Sequence, residues 1–486
     1  NAYVIDGVND CLNTGNIDVH SNALGNMYIC GGILGITASS ETKGVCHRMR
    51  NEGDITVLPY NESSSIAGTL TVVGLTNNLN CGIEGSEGAP SGNSGNISVT
   101  SSSTGSLNVA GVAVTVGEGF SFTNVVNSGT ITLNSDTTAA KADIYVSGIS
   151  TTIKANSSFT NIENSGDISV TGSAYRHLVV NGIGNEVRCT MKNVVNSGNI
   201  DTSVTTGNNM LVYGGARLVY LRTTDVHNTG NVTVSGTATT GMVQVAGTFD
   251  TLGNYALTTD ASKPSSNSGT ITCRAKALNK DQTIRVAGYA AVLNYKNGVS
   301  NILNTGDVIC EAAAENAAPI YVGGLTCNVN YPLSNGENRG NVSFSGVGTN
   351  TVYLSGIGMT MAAGATLTDV LNSGKISSTG SHAAQVRLGG IIGLEYASAE
   401  LTRAVNSGDI EMNGEVKKSI GVGGIWPINQ KADVTCVDCH NSGAITVIST
   451  TENTSSNNIA GLVGYTAKNM TFDACSNSGK TVDGVK

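Results

Sequence analysis

The sequence has little charge, little proline and few aromatic rings. Asp, Glu, Lys and Arg together make up 13% of its 486 residues, roughly half the share found in an ordinary globular domain. Six prolines stand against 62 glycines, a balance that fits neither collagen, a disordered tract nor a coiled coil. No uninterrupted apolar run comes near the roughly 20 residues that a membrane-spanning helix needs. No transmembrane segment is therefore expected, and the chain should be soluble. Basic residues are scarce and scattered, 26 Lys and Arg against 35 Asp and Glu for a formal net charge of -9. Nucleic acid and anionic membranes both need a concentrated basic footprint, so neither is expected as a partner. The chain opens at Asn1 without a charged, apolar leader, so an export signal or lipid anchor is expected to lie outside it.

What the sequence does have is a repeat. Asn-x-Gly-x-Ile/Val recurs thirteen times, starting at Asn13, Asn51, Asn93, Asn127, Asn164, Asn196, Asn228, Asn267, Asn304, Asn338, Asn372, Asn406 and Asn441, with a degenerate fourteenth at Asn477. The period is about 36 residues, inside the range of solenoids. Each repeat reads as three short extended segments. The first follows the Gly and alternates strictly, as in Ile168-Ser169-Val170. The second lies mid-repeat and ends in Gly, as in Ile144-Tyr145-Val146-Ser147-Gly148 and Ile320-Tyr321-Val322-Gly323-Gly324. The third precedes the Asn and places apolar residues five and two positions before it, as in Phe122 and Val125 before Asn127. A spacing of three interrupts the period of a strand and predicts a bend. No segment sustains a helical period.

A single unit of this kind cannot bury its own apolar face, whereas stacked units make parallel sheets around one core. The expected fold is all-β, a right-handed parallel β-helix (β-solenoid) of about fourteen coils with three short strands per coil. It occupies 1-486 as one domain, with an N-terminal cap at 1-12 and a C-terminal cap at 477-486. Right-handedness follows from the preference of parallel crossovers, and thirteen steps at strand spacing give a rod of roughly 60 Å. The Asn-x-Gly corner is expected to supply left-handed backbone angles for a sharp turn, and stacked Asn side chains to bond along the rod. The position after the corner Gly holds Asp54, Asp167, Asp307 and Asp409, never in consecutive repeats, as stacked like charges would repel.

The eleven cysteines follow the repeat. Cys273 and Cys310 share an inward column in adjacent repeats. Cys11, Cys439 and Cys475 fall two before the Asn, and Cys46 and Cys436 five before it. Seven of eleven thus stand where aliphatics stand elsewhere and behave as small core hydrophobes, although a stacked pair such as Cys273 and Cys310 could oxidise. Cys436-Val437-Asp438-Cys439-His440 matches the c-type haem attachment string, but both cysteines fall in core columns and no haem is expected. Asn96, Asn231 and Asn341 begin glycosylation acceptor strings because the repeat recurs. The six histidines have no common register, and no phosphate loop, nucleophile elbow or zinc cluster is present. No catalytic residue, metal site or cofactor is expected.

One outward column invites a ligand. Three residues before the Gly of the second segment stand Tyr28, Tyr145, Arg285, Tyr321, Tyr353 and Arg387, with Gln244 between. In four consecutive repeats this makes an Arg285, Tyr321, Tyr353, Arg387 ladder. Aromatic rings and guanidinium forks suit sugar rings or a protein partner. The plainer alternative is good packing across exposed strands.

Ala460-Gly461-Leu462-Val463-Gly464-Tyr465, followed by Met470, Cys475 and Asn477-Ser478-Gly479, resembles the GLUG repeat. Gly32-Ile33-Leu34-Gly35 before Asn51 and Gly389-Gly390-Ile391-Ile392-Gly393 before Asn406 match it too, while Gly214-Gly215-Ala216-Arg217 departs from it. The likeness covers nearly the whole chain. It implies an exported bacterial surface protein, of the kind found among adhesins of gut Bacteroidetes, and carries over no catalytic residue. The expected function is a non-enzymatic, extracellular adhesion or ligand-binding rod contacting a glycan or host surface protein, with Arg285, Tyr321, Tyr353, Arg387 and Tyr145 as its contact residues. Two alternatives stand beside it: a carbohydrate-active enzyme, either a polysaccharide lyase or a glycoside hydrolase, and a passive stalk.

Overall fold

The computed structural model describes residues 2–3, 8–37, 44–61, 65–137, 142–253, 263–395, 398–429, 433–451 and 457–484. They fall into two compact units, Asn1–Thr239 and Thr240–Lys486, each with seven of the corner asparagines. Each unit is an all-β parallel solenoid, with no helix among the described residues.

Within each unit three sheets wrap the core. The first sheet stacks the strands after the corner Gly, such as Ile131–Thr137 on Ile168–Ala174 and Ile376–His382 on Ile410–Val416, all parallel and in register. The expected alternation is present: along Ile131–Thr137 every second side chain is buried and the others are exposed. The second sheet stacks the mid-repeat strands, Ile144–Ser147 on Leu178–Asn181 in one unit and Ile284–Ala287 on Ile320–Gly323 in the other. The third side carries two strands per coil, for example Ala290–Asn294 and Val299–Asn304, within one sheet. Cys273 and Cys310 are direct register partners, as stacked laps require.

The bend expected before the corner is built from a left-handed residue. Among the described residues, twelve of the thirteen non-glycine residues with positive φ sit three positions before a corner Asn, among them Asn124, Asn161, Asn193, Asn301, Asn335, Asp369 and Arg403, all twelve with φ between 50° and 58°. One left-handed residue rotates the strand so that positions five and two before the corner both face inward. Phe122 and Val125, on either side of Asn124, are completely buried. Asn and Asp dominate because they tolerate this region best. Before Asn93 and Asn267 the position holds Pro90 and Pro264, whose ring forbids positive φ.

The corner itself departs from expectation. Neither its Asn nor its Gly has the left-handed angle anticipated for it. The Asn is there for its side chain and the Gly for its lack of one. Asn338 is fully buried. Its Nδ2 donates to the carbonyl of Gly340 at 2.8 Å and to Oδ1 of Asn372 at 2.8 Å, and its own Oδ1 accepts from Asn304 Nδ2 at 2.8 Å. The same ladder runs from Asn13 to Asn228 in one unit and from Asn267 to Asn477 in the other. A Cβ on Gly340 would overlap the carbonyl oxygen of Gly306 one coil below, and a Cβ on Gly324 would press against the Asn338 carboxamide.

The position after the corner Gly has a role beyond avoiding repulsion. A side-chain oxygen there accepts the backbone N–H of the next coil, Asp54 from Asn96 at 2.8 Å, Asp307 from Asn341 at 2.9 Å and Asp409 from Ala444 at 2.9 Å. Asn16, Asn96, Asn199 and Asn341 do the same without charge, which lets acidic and neutral acceptors alternate.

Replacing Asn338 by Ala strands the buried groups of Asn304, Gly340 and Asn372, at a cost on the order of 3 to 5 kcal/mol from penalties of about 1 to 3 kcal/mol per unpaired group. Asn338→Asp should cost about as much, because a carboxylate has no N–H to offer Asn372 or Gly340. Urea unfolding of the three proteins measures both. A shift below about 1 kcal/mol for Asn338→Ala would mean that water replaces the ladder bonds.

Candidate functional site

The second sheet places the expected column as one file in the Thr240–Lys486 unit. Gln244, Arg285, Tyr321, Tyr353 and Arg387 are successive register partners. Gln244 leaves the outer surface: it is buried and its Nε2 donates to Asp250 Oδ1 at 2.5 Å. The four residues Arg285 to Arg387 remain the ladder. Tyr321 and Tyr353 stack with ring centroids 5.0 Å apart and planes within 3°, and the Arg387 guanidinium lies 5.5 Å from the Tyr353 centroid. Arg387 is almost buried, and its Nη2 donates to Gln385 Oε1 at 3.0 Å. The two rings are half-buried. Tyr353 spends one face on Tyr321 and the other on Arg387, so that ring offers a ligand its edge rather than an open face. Such a stack is worth about 0.5 to 1.5 kcal/mol per pair beyond its area. The file ends at Gly421, the register partner of Arg387, where a Cβ would press on Ile428.

Tyr145 belongs to the other unit and does not join this ladder. Its hydroxyl donates to Asp143 Oδ2 at 3.2 Å. Asp143 is nearly buried, pairs with Arg176 Nε at 2.9 Å and accepts the His177 backbone N–H at 3.2 Å. Burial, followed by the nearby Asp143 charge, pushes the Tyr145 hydroxyl above its usual pKa. Burial pulls His177 down, opposed by the same carboxylate. Tyr28, half-exposed, faces Thr71 in its register.

A groove that the sequence reading did not anticipate runs along the bend of the Asn1–Thr239 unit. Its volume is about 570 Å³, and it is lined by Glu87, Pro90, Asn124, Asn161, Glu163 and Asn193 with Val126, Ile162 and Val195. The left-handed asparagines form its rail: Asn161 Nδ2 donates to Asn124 Oδ1 at 2.8 Å and Asn193 Nδ2 to Asn161 Oδ1 at 2.9 Å. The recurrence of Asn three positions before the corner was the available clue.

Among the described residues no group of three or more His, Cys, Asp or Glu is placed to hold a metal. The string from Cys436 to His440 is taken up locally. His440 Nε2 meets Asp438 Oδ1 and its Nδ1 meets Ser476 Oγ, both at 2.8 Å, while Cys436 and Cys439 are buried. The fold and these surfaces define a parallel β-solenoid repeat protein. No family model matches the chain, and neither a curated protein nor a solved structure shows significant similarity to it.

His382 gives a pH test. It is fully buried at the end of a first-sheet strand, against the Phe344 ring at 5.1 Å and Ser378 Oγ at 3.3 Å. Burial lowers its pKa from 6.5 to about 4. The folded state holds it neutral while the unfolded chain takes a proton, so its contribution is intact above pH 6.5 and is lost as pH falls towards 4. The loss is about 3 kcal/mol. Urea unfolding at pH 7 and pH 4 should show a smaller acid loss for His382→Leu than for the unsubstituted chain. Equal losses would mean that His382 takes up a proton as readily in the folded state as in the unfolded chain.

Proposed function

We propose that the protein is a non-enzymatic ligand-binding solenoid of adhesion type, displayed outside a bacterial cell and contacting a glycan or host surface protein. The observation that carries this reading is the continuous Arg285, Tyr321, Tyr353, Arg387 file. Aromatic and guanidinium groups held at strand spacing give a partner a preorganised, low-entropy contact strip. The low charge of the chain and the likeness of its repeats to GLUG repeats support the same reading. Polyhydroxyl ligands suit it because ring edges, hydroxyls and guanidinium groups offer edge contacts and hydrogen bonds along the strip.

A glycan array and immobilised mucin test the strip. Tyr321→Phe with Tyr353→Phe keeps the stack and removes both hydroxyls, and should weaken binding roughly fivefold per hydrogen bond lost. Tyr321→Ala, Tyr353→Ala and Arg387→Ala combined should abolish it. Unchanged binding in both variants would remove the strip as the site.

One observation favours a second reading, a carbohydrate-active enzyme: Glu87 and Glu163 line the same groove in the other unit, and paired carboxylates are what glycoside hydrolysis uses. Polysaccharide degradation that disappears in Glu87→Gln and Glu163→Gln would establish this reading over adhesion. Absence of any degradation would leave adhesion standing.

A further inference from the structure

Every described cysteine is a free thiol, yet their sulfurs are not evenly dispersed through the core. In each unit two sulfurs from successive coils meet as an isolated pair. Cys46 and Cys81 are both fully buried, with Sγ atoms 3.0 Å apart, and are separated by 35 residues, one lap of the chain. Cys273 and Cys310 are register partners on neighbouring first-sheet strands, buried, and in side-chain hydrogen-bond contact. Neighbouring parallel strands lie about 4.8 Å apart, so the register partners Cys273 and Cys310 fall inside the Cα separation of about 4.4 to 6.8 Å that a disulfide spans. Cys46 lies opposite Ile83 rather than Cys81, and that pair rests on the close approach of its two sulfurs. Packing alone does not require sulfur to meet sulfur. Cys327 fills an equally buried place by donating to the Val286 and Tyr321 carbonyls at 3.5 and 3.7 Å, and Cys189 is buried against the Phe159 backbone. Cys439 meets two sulfurs, those of Cys436 and Cys475, so no single pairing follows there.

We propose that Cys46 with Cys81, and Cys273 with Cys310, are sites of oxidative modification that form inter-coil disulfides when the chain folds in the presence of a small-molecule disulfide. The chemistry is thiol–disulfide exchange. One cysteine of a pair, as its thiolate, attacks a sulfur of the reagent disulfide, forming a mixed disulfide and releasing one reagent thiolate, which takes up a proton. The second cysteine loses its proton and attacks the protein-bound sulfur of that mixed disulfide, releasing the second reagent thiol. Two protein S–H bonds become one S–S bond, the reagent S–S bond becomes two S–H bonds, and two electrons pass from protein to reagent. Burial seals both pairs once the coils have closed, so exchange belongs to folding rather than to the finished molecule. Each bridge would close a loop of one lap and restrict the unfolded chain.

The full chain, refolded from denaturant in a glutathione redox buffer and in parallel under a reductant, provides the test. Thiols are then alkylated in denaturant and peptides mapped without reduction. The expected result is linked peptides for Cys46/Cys81 and Cys273/Cys310 only in the oxidised sample, a loss of four alkylatable thiols at those positions, with Cys189 and Cys327 alkylated in both. The oxidised protein should also unfold at higher urea, and Cys81→Ala with Cys310→Ala should erase that difference. Alanine at these sites could itself disturb folding, so the peptide map of the unsubstituted chain decides. Recovery of either pair as alkylated thiols from the oxidised sample overturns the assignment of that pair, and bridges to Cys189 or Cys327 in their place overturn the whole proposal.

Discussion

The corner carboxamide has two N–H groups and one carbonyl oxygen, and inside this protein all three must find partners without water. Asn338 meets the requirement with one bond to its own coil and one to each neighbour. Because the corner asparagines from Asn51 to Asn441 are all buried and the ladder repeats along each unit, each coil within a unit is positioned by the coil beneath it. The glycines on either side are the steric half of the same constraint. Gly340 and Gly324 lie where any Cβ would overlap a neighbouring backbone or the carboxamide. The two repeated motifs, Asn-x-Gly and the glycine-ended mid-repeat strand, are thus two walls of one buried channel of amides.

Once laps are locked in register, each outward position becomes a file. Properties that one residue cannot have alone then arise from stacking. Tyr321 and Tyr353 stack face to face with Arg387 above one of them, and Asn124, Asn161 and Asn193 join into a hydrogen-bonded rail. Acceptors after the corner glycine tie down the next coil's amide. The same geometry works inside the core, where Phe122 stacks on Phe159 at 5.0 Å and sulfurs of successive laps come together. Recognition and covalent clamping would both be uses of one translational repeat.

The bend shows how little sequence such a device needs. A single left-handed residue lets two apolar side chains three positions apart face the same core, which a regular strand forbids. Asn is favoured at this position because its side chain tolerates the angle, and since it also points outward it can build the wall of a groove. Arg48 and Arg403 occupy the same position with φ near 50°, each held by a two-pronged ion pair with the Asp of a neighbouring coil, Asp10 and Asp369.

The spacing of Asn-x-Gly, the alternation after it and the broken alternation before it by themselves determined the stacked parallel architecture, the bend and the register of Cys273 on Cys310. These are properties of periodicity, and periodicity is written along the chain. Which atoms the corner residues use was decided only in three dimensions. From the sequence, Asn and Gly read as left-handed turn formers, whereas the left-handed residue lies three positions earlier and the corner glycine yields to a carbonyl one lap away. Tertiary structure also withdrew Gln244 to Asp250, turned the tyrosine faces onto each other and opened the groove beside Asn161. Those outcomes depend on distances between residues some 35 positions apart, and such distances exist only once the coils are laid on one another.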